Sequence, residues 1–201
     1  MTEPQLSLFE AAPAMPAGLV YRPGFVGEDE ERALAGRIAG LPFKPFEFHG
    51  FTGNRRTVSF GLHYAFDGSG LRGAEPIPGW LHPLRARAAA LAGREPEAFV
   101  HALVIEYAPG AGIGWHRDRP VFGDVVGISL LAPAPLRFRR KHALSGAEGA
   151  GAKWERFTLT AEPRSAYLLR GEARHEWEHS IPQLDTLRYS VTLRTLAPGA
   201  P

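Results

Sequence analysis

The sequence predicts an α+β fold in which helices come first and a β-rich half follows. Two segments of the first half, residues 29–38 and 80–91, have apolar residues at helical spacing, and the first opens with acidic residues that suit a helix N-terminus. From residue 99 onward, short apolar runs are separated by Gly, Pro and Asp, which is typical of an antiparallel sandwich or barrel. A chain of 201 residues can bury one core, so we expect a single domain.

Along the chain, the first element is an N-terminal tail. Residues 1–16 are rich in Ala, Pro and acids without a sustained period, which predicts a flexible tail ahead of an ordered domain at residues 17–201. Residues 57–66 alternate with aromatic and β-branched side chains, which predicts a strand or hairpin. The Ala- and Arg-rich composition of residues 80–91 favours a helix. The apolar runs that we expect to be strands are residues 100–107, 125–131, 136–140, 156–159, 166–169 and 189–196.

Composition limits the possible chemistry. The chain has no Cys, so any metal must be held by His, Asp or Glu, and a cytoplasmic location fits. The N-terminus lacks the regions of a signal peptide, and no apolar run approaches the roughly 20 residues that cross a bilayer, so we expect no membrane association. Of the 23 basic residues, 20 are Arg. They cluster at Arg55-Arg56 and at residues 137–142, which indicates either nucleic-acid contacts or a solvated surface.

The stretch Gly-Trp-His-Arg-Asp-Arg-Pro at residues 114–120 raises the question of a metal site. His116 and Asp118 stand two positions apart, so on an extended segment both side chains project to the same side. A third ligand could be His142, His175 or His179. His142 lies in a basic cluster, where repulsion disfavours a cation. His175 and His179 are four positions apart, a spacing that predicts both on one face of a strand.

The last predicted strand has one apolar and one polar face. Arg188 and Arg194 are six positions apart and share the polar face with Ser190 and Thr192. At about 3.3 Å per residue their Cα atoms are about 20 Å apart, too far to grip one carboxylate group together. The two guanidinium groups could still bracket a small dicarboxylate end to end.

Together these motifs resemble the AlkB-type Fe(II)- and 2-oxoglutarate-dependent dioxygenases, over most of residues 18–196. The matching segments are His116-x-Asp118, residues 179–182 (His-Ser-Ile-Pro) and residues 188–194 (Arg-Tyr-Ser-Val-Thr-Leu-Arg), with shorter matches at residues 107–110 and 171–174. The resemblance implies a double-stranded β-helix (jelly-roll) core, preceded by helices and a nucleotide-recognition lid at about residues 47–66.

The resemblance also implies the roles of the site residues. His116, Asp118 and His179 would hold Fe(II), while Tyr107, Arg188 and Arg194 would bind 2-oxoglutarate, with Arg188 at its distal carboxylate. One departure concerns the cosubstrate. The family often has Asn two residues before the Tyr, where this chain has Ile105, so a hydrogen bond to 2-oxoglutarate is expected to be missing.

The activity implied is oxidative demethylation of alkylated bases in nucleic acid, with O2 consumed and formaldehyde released. A base flipped into the lid needs aromatic faces and cationic phosphate contacts, which Arg55, Arg56, His63 and Tyr64 provide, with Trp115 as another platform. The same chemistry on tRNA bases or protein side chains is an alternative, because the lid and not the core selects the substrate. A jelly-roll binding module without catalysis is a second alternative.

A short tail motif suggests a protein partner. Residues 5–9, Gln-Leu-Ser-Leu-Phe, resemble the peptide with which bacterial replication and repair proteins dock on the DNA sliding clamp. Gln5, Leu6, Leu8 and Phe9 would make that contact, unless the apolar residues dock on the protein's own fold. We expect the protein itself to be a monomer.

Overall fold

Two antiparallel β-sheets, one large and one small, share a core in the computed structural model, which describes residues 14–48, 51–65, 70–142 and 153–200. The tail residues proposed to contact a sliding clamp, Gln5, Leu6, Leu8 and Phe9, lie outside the described residues. The strands, in chain order, are β1 (Leu19–Arg22), β2 (Lys44–Phe48), β3 (Phe51–Phe60), β4 (Leu62–Ala65), β5 (Gly70–Gly73), β6 (Phe99–Tyr107), β7 (Ile113–His116), β8 (Phe122–Leu130), β9 (Ala134–His142), β10 (Lys153–Ala161), β11 (Ser165–Leu169), β12 (Glu178–Ile181) and β13 (Arg188–Leu196).

Within the described residues, the large sheet has seven strands in the order β1-β11-β8-β13-β6-β3-β2. The small sheet has four, in the order β10-β9-β12-β7, and β4 pairs with β5 as a separate hairpin. Neighbouring strands are often distant in the sequence, as in β1 with β11 or β12 with β7. This crossing of connections between two sheets brings residues of separate motifs to one place.

Two helices, α1 (Glu28–Ala39) and α2 (His82–Ala92), cover one face of the large sheet, and 3-10 turns lie at Gly79–Leu81 and Pro96–Ala98. The short helix α3 (Gly171–His175) buries Ala173 in a separate cluster between the two sheets. Leu34 and Ile38 of α1, one helical turn apart, are buried in the same cluster as Val191 and Leu193 of β13. The helix α1 contains the segment predicted at residues 29–38, and the segment predicted at residues 80–91 is covered by the end of the 3-10 turn Gly79–Leu81 and by α2. None of the described helices is long and apolar enough to cross a membrane.

The other face of the large sheet packs on the small sheet. Ile105 and Tyr107 of β6 belong to a buried cluster that also contains Leu136 and Phe138 of β9. Because side chains alternate along a strand, β13 sends its apolar residues toward the helices and its polar residues toward this interior. The predicted division of β13 into an apolar and a polar face is confirmed.

Each of the six apolar runs lies on a strand, namely β6, β8, β9, β10, β11 and β13. The segment predicted as a strand or hairpin at residues 57–66 contains the end of β3 and all of β4. The chain turns between them at Gly61, which has φ of 75° and would bring a Cβ to within 2.1 Å of the Val100 carbonyl oxygen. Only glycine fits at that point.

The prediction that His175 and His179 share one face of a strand is wrong. His175 is the last residue of α3, whereas His179 lies on β12. The helical turn buries Ala173 and Arg174, and Trp177 is buried in the segment that follows it, while His175 stays exposed.

Candidate metal centre

The fold brings together three residues that come from two distant segments. His116 ends β7, Asp118 follows it in the loop before β8, and His179 lies on β12. His116 and His179 are directly opposite each other in the β7–β12 pair, so both imidazoles lie on the same side of the small sheet. Their ring centroids are 4.2 Å apart, and Asp118 Oδ2 lies 3.8 Å from His179 Nε2. These are the residues that the sequence motifs single out as metal ligands.

The imidazole of His116 is oriented by its own strand. Its Nδ1 lies 2.9 Å from the carbonyl oxygen of Gly114. Because a carbonyl oxygen only accepts, Nδ1 donates in this contact and Nε2 keeps its lone pair in the neutral ring. Burial lowers the pKa of His116 below its ordinary value, which favours the neutral form. An imidazole with one nitrogen bound to a carbonyl and the other available is typical of a metal ligand.

Asp118 is a buried carboxylate that remains charged. Burial alone raises its pKa, but the guanidinium of Arg194 and the neighbouring imidazoles outweigh burial and hold the pKa of Asp118 well below its ordinary value. Burial and, to a lesser extent, the nearby His116 lower the pKa of His179 to about 3. The site thus presents one carboxylate and two neutral imidazoles. This donor set suits non-haem Fe(II).

Arg194 holds the carboxylate of Asp118 from behind. Its Nε and one terminal nitrogen donate to Asp118 Oδ1 at 3.1 and 2.8 Å, and its other terminal nitrogen donates to His101 Nδ1 at 3.2 Å. The guanidinium is therefore committed to a proposed metal ligand. Arg194 also lines the cavity described below, and its predicted contact with 2-oxoglutarate stays a prediction.

The loop that carries Asp118 is fixed by a second buried arginine. Arg174 of α3 donates to the backbone carbonyl oxygens of Asp118, Arg119, Phe122 and Gly123, at 3.2, 2.6, 2.7 and 3.0 Å. One side chain thus satisfies two carbonyl groups of the loop and two at the start of β8, which limits the positions that the loop can take. The sequence motif at residues 171–174 includes this arginine but gives no sign of its partners.

Whether a metal ion fits between His116, Asp118 and His179 is judged from the chemistry of these donors. Among the described residues, no group of three His, Cys, Asp or Glu side chains forms a ready-made metal cage. His116, Asp118 and His179 are nevertheless adjacent, and Gly114 and Arg194 orient two of them. The residues present fit a divalent cation with three protein ligands, which leaves further positions for oxygen ligands.

Arg188 is a buried arginine that uses only one of its three nitrogens in hydrogen bonds to the described residues. The side chain is fully buried; its Nε donates to Ser129 Oγ at 3.0 Å, and its Cζ lies 5.1 Å from the ring centroid of Tyr107. Both terminal nitrogens are buried and have no hydrogen-bond partner in the part of the chain that the structure describes. Such a group costs free energy until an acceptor arrives. A carboxylate, which accepts two parallel N–H bonds from a guanidinium, matches it in shape and charge.

Tyr167 is a further polar group near Arg188, and sequence reasoning missed it. Its ring lies directly over Gly127 on the neighbouring strand, where a Cβ would be 2.2 Å from the ring carbon Cζ. Burial raises the pKa of Tyr167 to about 12, against the opposing effect of Arg188, so the phenol is neutral and can donate. Its hydroxyl group makes no hydrogen bond to the described residues. The signal that identifies Tyr167 is a glycine opposite a tyrosine, which is visible only when the strand register is known.

A cavity of about 1960 Å³ is lined by His116, Asp118 and His179 and by two of the predicted cosubstrate residues, Tyr107 and Arg194. Arg188 is buried behind Tyr107 and is not among the lining residues. Four of the five predicted substrate-binding residues line the cavity, and the guanidinium of Arg119 lies 4.9 Å from the ring centroid of one of them, Tyr64. The four are Arg55, His63, Tyr64 and Trp115. Ile105, which stands where related sequences often have Asn, also lines the cavity and packs into the core between the sheets.

Arg56 is the predicted substrate-binding residue that does not reach this cavity. Its Nε donates to Glu106 Oε1 at 2.7 Å, and its guanidinium lies 5.5 Å from the ring centroid of Phe43. Successive residues of a strand project to opposite faces, so Arg55 and Arg56 of β3 cannot both face the cavity. Arg55 and Arg56 are one basic cluster in the sequence, but their side chains lie on opposite faces of β3.

Comparison with known proteins supports the family that the sequence motifs predict. The chain matches the family model of the 2OG-Fe(II) oxygenase superfamily over residues 43–194. The probable RNA/DNA demethylase ALKBH6 of Danio rerio is 32% identical over 169 residues, which cover 83% of this chain and 70% of the relative. The alkylated DNA repair protein ALKBH8 homolog of Arabidopsis thaliana is 35% identical over 103 residues, 46% of this chain. The chain spans 30% of the length of that plant relative and 35% of an uncharacterized mimivirus protein, L905.

Solved structures share the architecture at low sequence identity. The structure of OsALKBH1 superposes with a TM-score of 0.66 at 16% identity, covering 90% of this chain and 100% of that one. A Pseudomonas putida prolyl-4-hydroxylase superposes with a TM-score of 0.57 at 16% identity, over 90% and 94% of the two chains. At these identities the likeness concerns the fold alone. It confirms the predicted double-stranded β-helix core.

Proposed function

We propose that this chain, which belongs to the AlkB-type branch of the 2OG-Fe(II) oxygenase superfamily, oxidatively removes methyl groups from alkylated bases in nucleic acid. The observation that carries the proposal is the combination of a buried two-histidine, one-carboxylate donor set with the buried, unpaired guanidinium of Arg188. The donor set suits Fe(II), and the guanidinium suits the distal carboxylate of 2-oxoglutarate. A binding module without catalysis would have no use for both.

When bound, Fe(II), 2-oxoglutarate and O2 supply an oxidation in which 2-oxoglutarate becomes succinate and CO2, and the second oxygen atom enters a substrate C–H bond. At an N-methyl group the product is N-hydroxymethyl, which releases formaldehyde and leaves the nitrogen with a proton. The residues of the chain would bind and orient the reactants. His116, Asp118 and His179 would hold the metal, and Arg194 would keep Asp118 ionised and fixed in direction.

The cosubstrate would lie along the polar face of β13. Arg188 would bind the distal carboxylate, with Tyr107 packed against the guanidinium and Ser129 fixing its Nε. Folding positions this cation before the cosubstrate arrives, so little reorganisation is needed when the carboxylate binds. Ile105 cannot hydrogen-bond, so Arg188 and its neighbours carry most of the recognition of 2-oxoglutarate.

Two observations support a nucleobase as the substrate. Relatives of this chain are named as demethylases or repair proteins that act on nucleic acids. The cavity is lined by His63 and Tyr64, which offer flat faces to a base removed from its stack, and by Arg55, which offers a cation. Trp115 also lines the cavity, but its ring lies against Arg137 and Arg139. We propose that the β3–β4 region acts as the lid predicted at about residues 47–66.

The test is demethylation of short oligonucleotides that carry 1-methyladenine or 3-methylcytosine, in the presence of Fe(II), 2-oxoglutarate and O2. We expect loss of one methyl group by mass spectrometry, formation of equimolar succinate, and no reaction without 2-oxoglutarate. His116→Ala removes a metal ligand, and Arg188→Lys keeps a charge but loses the two-pronged contact. Both variants should lose most of the activity.

The outcomes separate the possible substrates. If the wild-type protein neither demethylates an oligonucleotide nor converts 2-oxoglutarate, the enzyme proposal fails. Conversion of 2-oxoglutarate without demethylation would instead favour the same chemistry on another substrate, such as a tRNA base or a protein side chain. Both DNA and RNA oligonucleotides belong in the assay.

We also propose that the N-terminal segment around Leu6, Leu8 and Phe9 binds the bacterial DNA sliding clamp. The support is its sequence alone, which resembles clamp-binding peptides. Deletion of residues 1–10 should abolish binding to a purified clamp and preserve demethylation of short oligonucleotides. Unchanged clamp binding by the shortened protein would remove the idea.

A further inference from the structure

The outer face of the small sheet carries arginines that the proposed chemistry does not use. On β9, Leu136 and Phe138 are buried between the sheets, so Arg137 and Arg139 project from the opposite face. These two residues belong to the basic cluster at residues 137–142. We call the surface formed by Trp115, Arg137, Arg139, Lys141, Trp154 and Arg156 the Trp–Arg face.

Arginine and tryptophan side chains contact one another across the Trp–Arg face. The Cζ of Arg139 lies 4.4 Å from the ring centroid of Trp115 and 4.4 Å from that of Trp154. The Cζ of Arg137 lies 5.3 Å from the ring centroid of Trp115. These distances are within the range of cation–π contacts. The contacts run in the order Arg137, Trp115, Arg139, Trp154, and so they cross the sheet from β7 to β10.

Hydrogen bonds hold the guanidinium groups of Arg137 and Arg139 through their Nε atoms only. Arg139 Nε donates to Glu178 Oε2 at 2.6 Å, and Arg137 Nε donates to Ser180 Oγ at 3.2 Å. Glu178 and Ser180 are the residues directly opposite in the β9–β12 pair. The terminal nitrogens of Arg137 and Arg139 make no hydrogen bond to the described residues. Each guanidinium is thus held in direction by an indole and one Nε contact, which leaves its terminal N–H groups available to an acceptor.

The Trp–Arg face also has an excess of positive charge. Lys141 and Arg156 are exposed and lie on the same face, because Lys141 is opposite Trp154 and Arg156 is opposite Arg139 in the β9–β10 pair. Among the described residues on this face of the small sheet, Glu178 is the one acidic side chain. Four cations against one anion favour a polyanionic partner.

This surface continues into the cavity. Trp115 and Glu178 belong to the Trp–Arg face and its border, and both also line the cavity that contains His116 and His179. Trp115 directly precedes His116 in β7. A chain that places one unit in the cavity would therefore lead its neighbouring units over the arginines.

We infer that the Trp–Arg face binds the phosphate backbone of a single-stranded nucleic acid beside the nucleotide that enters the cavity. The choice of partner rests on the proposed function. Guanidinium groups with unused terminal N–H donors match phosphate oxygens, and arginines fixed in advance lose less freedom when they bind. An acidic peptide fits less well, because peptides are recognised through sheet edges or pockets for side chains, and this surface is the flat face of a sheet.

The test measures binding without catalysis, so that it is independent of demethylation. Fluorescence anisotropy of a labelled, unmethylated 12-nucleotide single strand is followed at several salt concentrations for Arg139→Gln/Arg156→Gln. The matched control is Arg22→Gln/Arg37→Gln, which removes the same charge from exposed positions on β1 and α1. Loss of two phosphate contacts should weaken binding about tenfold or more at low salt and reduce the slope of log K against log salt by about 1.4. Equal effects of the two double variants would overturn the inference.

Two further variants guard against a folding defect. Lys141→Gln/Arg156→Gln changes only exposed side chains and should also reduce the salt slope, with an unchanged melting temperature. Trp154→Leu leaves every charge in place but removes one of the two indoles that contact Arg139, so affinity should fall a few fold while the salt slope stays the same. A Trp154→Leu variant that binds as well as wild type would contradict the orienting role of the indole.

A competitor distinguishes nucleic acid from other polyanions. Unlabelled oligonucleotide should displace the probe at concentrations at least about tenfold lower, per charge, than polyglutamate, because the arginines are set for phosphate geometry. Equal competition would overturn the inference in favour of an acidic protein partner. If the wild-type protein binds the unmethylated strand through this face but does not demethylate strands that carry 1-methyladenine or 3-methylcytosine, the proposed function fails and the surface remains.

Discussion

Arg188 and Arg194 lie six residues apart on the same face of β13, and the protein completes the hydrogen bonds of only one of them. Arg194 donates to Asp118 and His101 through all three nitrogens. Arg188 donates through Nε alone, to Ser129, and its terminal nitrogens have no partner among the described residues. Both side chains are buried, since Arg188 is 0% exposed and Arg194 is 8% exposed. Solvent therefore does not supply the hydrogen bonds that Arg188 lacks.

This difference in hydrogen bonding indicates that Arg194 has a structural role and Arg188 a binding role. Arg194 satisfies a buried carboxylate, so folding alone pairs both charges. Arg188 is a buried cation that folding leaves unpaired, which costs stability in the free protein and is offset when an anion binds. Removal of the two arginines should therefore change the free energy of unfolding in opposite directions.

The largest expected effect is that of Arg188→Met. Loss of two charge-assisted hydrogen bonds should weaken 2-oxoglutarate binding by roughly 100-fold or more, measured by calorimetry with Fe(II) in the absence of O2. Without 2-oxoglutarate, the free energy of unfolding in urea should rise by about 1–4 kcal/mol, because an apolar side chain replaces an unpaired buried charge.

Arg188→Lys is the control for charge. It keeps a cation without the two parallel donors, so its affinity for 2-oxoglutarate should fall between those of wild type and Arg188→Met. An Arg188→Met protein that is less stable than wild type and binds 2-oxoglutarate normally would contradict the binding role.

Arg194→Met should have the opposite effect on stability. The substitution leaves Asp118 buried without its partner, so the free energy of unfolding should fall by about 3–5 kcal/mol. Affinity for Fe(II) should fall about 10- to 100-fold, as expected when a group that orients a metal ligand is lost. Equilibrium unfolding and anaerobic metal titration measure the two effects. Unchanged metal affinity would mean that Asp118 is oriented without Arg194.

The sequence predicts the positions of the ligands better than the use of the arginines. The His-x-Asp motif places two side chains on one side of a short segment, and the alternation of β13 separates its polar and apolar faces. Both inferences depend on local geometry, which a strand imposes on every residue. The helices at residues 29–38 and 80–91 are likewise set by local spacing and end signals.

The partners of those residues depend on strand order, which local patterns do not contain. Nothing near Arg194 in the sequence indicates that Asp118, 76 residues away, accepts its hydrogen bonds. The wrong prediction of a strand at His175 has a similar origin. His175 lies in a helix, next to a Trp177 that is buried against distant parts of the chain. Tyr167 and Gly127 become a pair only when β11 and β8 are neighbours.

Gly127→Ala tests the surroundings of Arg188 with a single methyl group. Its Cβ would be 2.2 Å from Cζ and 2.4 Å from the hydroxyl oxygen of Tyr167, so the ring must move. We expect the free energy of unfolding to fall by about 1–3 kcal/mol from overpacking. If the Tyr167 hydroxyl donates to the cosubstrate, the KM for 2-oxoglutarate should rise roughly tenfold.

Two variants separate crowding from the loss of a hydrogen bond. Gly73→Ala adds the same methyl group where no heavy atom lies within 4 Å, and should change neither quantity. Tyr167→Phe removes the hydroxyl without crowding, so it should raise the KM for 2-oxoglutarate and leave kcat nearly unchanged. A normal KM in Tyr167→Phe would limit Tyr167 to packing.

The smallest expected effects concern Arg55 and Arg56, where the contrast between binding and structural arginines recurs on adjacent residues. Arg55 lines the cavity, and burial lowers its pKa, so Arg55→Ala should reduce turnover of a methylated oligonucleotide severalfold. Arg56 is half-exposed and bound to Glu106 on the other face of β3, so Arg56→Ala should change stability little and leave turnover unchanged. Steady-state kinetics with one oligonucleotide compare the two. Equal losses of turnover would mean that substrate binding rearranges β3, because the strand as it stands presents only one of these arginines to the cavity.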